Sequence, residues 1–128
     1  MRLLIDTHVL IWWLAADQAL SSAARSAIAD SANDVFVSAA SAWEIATKHR
    51  IGRLPQAGLL AADIAGFVSA QGFNELPVTI RQGQIAGALP RIHKDPFDRM
   101  LVAQAIVMDM TIVSGDEMLS AYGVARLW

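Results

Sequence analysis

Arg2-Leu3-Leu4-Ile5-Asp6-Thr7-His8 decides how the rest of the chain is read, because a short apolar run ends on a carboxylate with no room for a loop. Leu3 to Ile5 fit a buried strand, and Val9, Leu10, Trp13 and Leu14 then recur at the spacing of one helix face. The expected helix covers 7–16. A strand that feeds straight into a helix is the first unit of an α/β chain, and the same unit recurs downstream. Ser21 or Ser22 caps a second helix ending near Ser31, and Asn33-Asp34 turns the chain into a strand over 35–38.

The next helix runs to about Arg50, where Gly52 and Pro55 stop it. Two starts are available: Ser38, or Ser41-Ala42-Trp43-Glu44, which has the form of a capping box. Leu60, Ile64, Phe67 and Val68 lie at i, i+4, i+7 and i+8, predicting one amphipathic helix that closes at Gln71-Gly72. A weak strand over 76–79 contains Pro77, which suits a sheet edge. A helix over 80–89, weakened by Gly83 and Gly87, follows. Asp95-Pro96-Phe97-Asp98 is the clearest start signal: an N-cap acid, proline at the first helical position and an acid at the third. That helix reaches about Asp109, then come a strand over 111–113, the loop Ser114-Gly115-Asp116, a short helix to Tyr122 and a strand over 124–127. The alternation predicts one domain over 1–128, an α/β three-layer sandwich around a mostly parallel sheet of about five strands.

With 55% hydrophobic and 17% charged residues in 128, the chain can bury one core, and it is short of the charge that usually covers a surface. Part of its apolar area is therefore expected to be covered by a second subunit or a partner. There is no cysteine, which excludes disulfides and thiolate zinc sites. The apolar start is cut by Asp6 before it reaches the length of a signal-peptide core, and no stretch approaches the roughly 18 residues of a membrane span. A soluble, cytoplasmic protein is expected. Ten basic against twelve acidic residues give a net charge of −2, too little to attract nucleic acid by the overall field. Distribution matters more: Lys48, Arg50, Arg53, Arg91, Lys94 and Arg99 lie after Glu44 or around Asp98. A solvated helix face is the ordinary explanation of such residues, and phosphate contact is the functional one.

Asp6, Glu44, Asp98 and Asp116 fall just past strands or near helix starts, where a parallel sheet gathers them at one edge. Singly, each has an ordinary explanation, which for Glu44 is a cap. Together they raise one another's pKa and call for a positive partner. Carboxylate oxygens suit Mg2+ or Mn2+, which complete their shells with water and substrate phosphate, so phosphodiester hydrolysis fits. His8, His49 and His93 lack zinc-ligand spacing, and a surface or cap role is the default for each. Asp17, Asp30, Asp34, Asp63, Glu75, Asp109 and Glu117 read as turn, cap or surface acids, and Asp95 as a cap. Trp12 and Trp13 are adjacent on a helix and cannot face the same way, so one is expected in the core and one exposed.

Leu4-Ile5-Asp6-Thr7-His8, Ser38 to Ile45, His93 to Ala105 and Val113-Ser114-Gly115-Asp116 resemble the ordered motifs of PIN-domain proteins. In particular they resemble the VapC-like toxins of bacterial toxin–antitoxin pairs. The resemblance spans nearly the whole chain. It implies an endoribonuclease in which Asp6, Glu44, Asp98 and Asp116 surround Mg2+ or Mn2+, with a metal-activated water attacking RNA. Asp6 and Asp98 would be the principal ligands, Glu44 a ligand or water-orienting group, and Asp116 an outer or second-metal ligand. Arg99 and Lys94 would contact RNA phosphates. A homodimer and a small cognate antitoxin are the implied partners. The alternative is a catalytically idle PIN-like module that only pairs with an antitoxin. Two other readings fit worse: an aspartyl-phosphate phosphatase wants an acid where His8 stands, and a receiver domain wants a late lysine, but none follows Lys94.

Overall fold

Strand β1 (Arg2–Ile5) takes the middle of the sheet, paired in parallel with β2 (Asp34–Ser38) on one side and β4 (Thr111–Val113) on the other. A computed structural model describes residues 1–128. Beyond β2 lies β3 (Asn74–Leu76) and beyond β4 lies β5 (Arg126–Leu127), giving five all-parallel strands in the order β3-β2-β1-β4-β5. The near-continuous apolar runs of β1, β2 and β4 are what a sheet covered on both faces requires.

Alternation divides the strands between two cores. Leu3, Ile5, Val35, Val37 and Val113 join Val9 and Leu10 of α1 (Thr7–Leu14), Ile28 of α2 (Ser22–Ala29) and Ile45 of α3 (Ala39–Arg50). Leu4 and Ile112 point the other way, onto Leu101, Val102 and Ala105 of α7 (Pro96–Met108) and onto Leu119. Helix α6 (Ile80–Ala88) packs on α7, to which it is tied by the buried pair Gln82 and Gln104, 3.1 Å apart. Each fully enclosed Leu or Ile contributes on the order of 2 kcal/mol of burial. No helix is long and apolar enough to cross a membrane.

Three local expectations change. The capping box at Ser41 does not form: Ser38 caps α3 through the Ala40 amide at 3.0 Å, which leaves Ser41 and Glu44 buried inside the helix. The stripe from Leu60 to Val68 is two helices, α4 (Gly58–Ala62) and α5 (Ile64–Ala70), because Asp63 caps the second through the Gly66 amide. A side chain at residue 66 would strike that carboxylate, so the glycine belongs to the cap. The edge strand is 74–76 rather than 76–79, since Pro77 has no amide to continue the ladder.

Candidate active site

The chain runs outward from β1 through β2 to β3, then returns to the other side of β1 as β4 and β5. Where the order reverses, the loops after β1 and β4 part at the carboxyl end of the sheet and leave a crevice. Asp6 follows β1 at once, and Ser114 and Asp116 follow β4. Asp98 enters from the first turn of α7. Asp6, Asp98 and Asp116 line one cleft of about 430 Å³.

Local folding explains how these acids are held. Asp6 N-caps α1 by accepting from the Val9 amide at 2.8 Å. Asp116 accepts from the Met118 amide through Oδ1 at 3.0 Å and turns Oδ2 toward His93. Asp95 caps α7 through the amides of Phe97 and Asp98, as expected, and so fixes where Asp98 points. Asp6 and Asp116 are therefore helix caps as well as cleft residues. A carboxylate has two oxygens, and a cap needs only one of them.

The carboxyls are held against their preference. Burial pushes the pKa of Asp6 up, with the charge of Glu44 adding to it, while Ser114, the Val9 amide and His8 oppose the rise. Asp98 is pushed up to about 7, first by burial, then by the neighbouring charge of Asp95, with Glu44 and Asp6 adding and His93 opposing. Glu44 is placed differently from the other three. It is buried behind the cleft wall, where the Thr7 hydroxyl and the Lys48 ammonium each hold one of its oxygens. Its charge is felt in the cleft, but its oxygens are already engaged.

His93 is the residue that sequence reasoning left out. Its Nε2 lies 2.7 Å from Asp116 Oδ2 and 3.3 Å from Asp98 Oδ2, which joins two of the acids. Its Nδ1 accepts the Asp95 amide at 3.1 Å, so the ring proton sits on Nε2 and is donated to Asp116. The signal was its place just before the Asp95 cap, which brings it back over the start of α7.

Arg99 departs from the expected phosphate contact. Its guanidinium donates to the carbonyls of Ala86, Leu89, Pro90 and His93 at 2.7–3.2 Å, closing the end of α6 and the loop that carries His93. Those donors are spent on backbone. Lys94 is exposed and borders an open basic hollow with Arg91. The tryptophans also differ from expectation, since Trp12 and Trp13 are both half-buried. Trp13 packs on Phe73 and donates to Gln71, whereas Trp12 faces the acidic cleft.

A divalent cation fits this donor set. Ligand atoms of His93, Asp98 and Asp116 lie within 4.8 Å of one another, and the cleft holds two carboxyls whose ionisation burial resists. Hard oxygens dominate, which suits Mg2+ or Mn2+. His93 in its present tautomer donates to Asp116 and would bind an ion through Nε2 only after giving up that proton.

The PIN domain model matches residues 3–125. Ribonuclease VapC22 of Mycobacterium tuberculosis (strain ATCC 25618 / H37Rv) is 32% identical over 122 residues, covering 93% of this chain and 90% of that protein. Among solved structures, VapBC2 from Rickettsia felis, bound to a DNA fragment from their promoter, superposes with a TM-score of 0.69 at 12% identity, covering 98% of this chain and 97% of that one. FitAcB from Neisseria gonorrhoeae gives 0.60 at 17% identity, covering 97% and 95%. At such low identity these two establish the fold. The match to the domain model over nearly all the chain, together with the ribonuclease relative, shows that the chain belongs to the PIN-domain family.

Proposed function

We propose that this protein is a metal-dependent endoribonuclease and acts as the toxin of a toxin–antitoxin pair. The observation that carries the reading is the convergence of Asp6, Asp98 and Asp116 on one cleft at the point where strand order reverses. The ribonuclease relative supports the reaction class, and the names VapBC2 and FitAcB support pairing with an antitoxin. Mg2+ or Mn2+, when bound, would offset the charge of the phosphodiester and make a coordinated water acidic enough to attack it.

Asp6 and Asp98 are the principal ligands in this reading. Asp116 is an outer or second-metal ligand, held by the loop after β4. Glu44 supports the site from behind: with Thr7 and Lys48 fixing its oxygens, it adds negative potential rather than a free donor. His93 holds a proton at Nε2 at the mouth of the acids, where it orients Asp116. Lys94 is the remaining candidate for a phosphate contact. No side-chain nucleophile is required.

Exposed apolar residues support a covered surface, in the proposed homodimer or against the antitoxin. Ile80 is 93% exposed, Leu59 83% and Trp43 67%. A substrate of RNA and a protein partner fit a cytoplasmic site of action.

The test is incubation of purified protein with total RNA, with Mg2+ or Mn2+ and with chelator, beside Asp6→Asn and Asp98→Asn. Cleavage is expected to stop with chelator and to fall on the order of a thousandfold in either variant. Equal cleavage by the variants would reject the assigned ligands.

A further inference from the structure

The acidic cleft has an aromatic side that the proposed chemistry does not use. Trp12 and Trp128 line it together with His8 and the carboxylates. The rings of Trp12 and Trp128 are 5.9 Å apart between centroids and tilted by 50°, and His8, one helical turn before Trp12, lies 5.7 Å from it. Trp128 keeps 38% of its surface exposed although it is among the largest apolar groups in the chain.

Its position follows from the sheet. Val113 pairs with Leu127, so the next residue on each strand brings Trp128 level with Ser114 and beside the loop that carries Asp116. Arg126 pins this end by donating to the Ser114 carbonyl at 2.9 Å and to the Ser120 hydroxyl at 2.9 Å. Gly115 completes the seat. A Cβ there would come within 3.1 and 3.2 Å of the indole, so the missing side chain lets Trp128 lie against the loop backbone.

We infer that Trp128, backed by Trp12, is a stacking platform for one unpaired base beside the phosphodiester that is cut. This rests on the nuclease reading above and adds a positioning element to it. A phosphodiester drawn to the acids carries a sugar and base on each side, and a flat π-surface lining the same cleft receives one of those bases by stacking. A base still stacked and paired in a duplex cannot enter. The cleft therefore selects single-stranded or looped RNA at that nucleotide, and tolerates any base there, because stacking needs a π-face rather than a hydrogen-bond pattern.

The experiment uses the full chain with Mn2+ and a short unstructured RNA oligonucleotide whose cut bond has been mapped. Each nucleotide near the cut is replaced in turn by an abasic one. One flanking replacement is expected to lower kcat/KM on the order of tenfold, through KM, and a complementary strand covering that nucleotide is expected to block cleavage. Trp128→Leu should lose the same factor on the intact RNA and show no further loss on the abasic one, while Trp128→Phe keeps most of the activity. Cleavage that ignores the missing base, or an abasic penalty that persists in full in Trp128→Leu, overturns the platform and leaves the nuclease reading standing. A native chain that cuts no RNA with Mg2+ or Mn2+ overturns both. A native chain indifferent to the missing base overturns the platform even if the leucine variant fails to fold, and Trp128→Met then takes its place on the abasic RNA.

Discussion

Leu3, Leu4 and Ile5 of β1 are fully enclosed by apolar neighbours, and one residue later Asp6 is nearly as buried beside other carboxyls. In the interior of the sheet, propensity, alternation and packing agree, and the two cores on either face accept the strands without strain. At the carboxyl edge, the same backbone holds like charges in a partly closed cleft and pushes the carboxyl of Asp98 up to about 7. The interior stabilises the fold, whereas the edge costs stability that protonation relieves and that the proposed cation would offset. A site that opposes its own stability in this way is what function requires.

The largest effect should come from the interior. Leu101→Ala removes a side chain that is 1% exposed beneath the sheet, and a loss of about 3 kcal/mol is expected in denaturant unfolding. A loss below about 1 kcal/mol would mean that the face under α7 is loosely packed, and the contrast between the two regions would weaken.

At the edge the sign reverses. Asp6 and Asp98 have native pKa values above the ordinary carboxylate value, so the native state takes up protons that the unfolded chain does not. The resulting stability is present in full at low pH and is lost as pH rises through about 7 for Asp98. Metal-free protein should therefore lose roughly 2 kcal/mol between pH 5 and pH 8. Asp98→Asn should remove most of that slope, as should saturating Mn2+. A metal-free chain whose stability is flat or rises over this range would contradict the electrostatic cost.

Arg99 and Lys94 sharpen the comparison, since both stood together as phosphate contacts. Arg99→Ala strips the donors from the end of α6 and should cost about 1.5 kcal/mol of stability. Lys94→Ala should change stability by less than about 0.5 kcal/mol, yet reduce the salt dependence of RNA binding by about one counterion. The reverse pattern would return Arg99 to the RNA-binding surface.

Much of the fold was legible because its signals are local. Apolar runs at strand spacing, Asp95-Pro96 at a helix start and the acid after β1 each act within a few residues. The split at Asp63 was masked by an apolar stripe that continues in space across the break, so Leu60 and Val68 still share one core. Asp6 and Asp116 were legible because topology brings strand ends together, and Asp98 because the Asp95-Pro96 start sets it in the first turn of α7. Glu44 was only partly so: its helix position was readable, but its engagement by Thr7 and Lys48 depends on side-chain packing. His93 and Arg99 were hidden for the same reason. Their partners lie across a loop whose path no periodicity encodes.

The central claim is that Asp6 and Asp98 form a cleft that requires a divalent ion, and calorimetric titration of Mn2+ into the metal-free protein at pH 7.5 tests it most directly. Saturable binding in the native chain, weakened roughly tenfold or more in both Asp6→Asn and Asp98→Asn, is the expected result. Binding of equal strength in the native chain and both variants, or none in any of them, would contradict it.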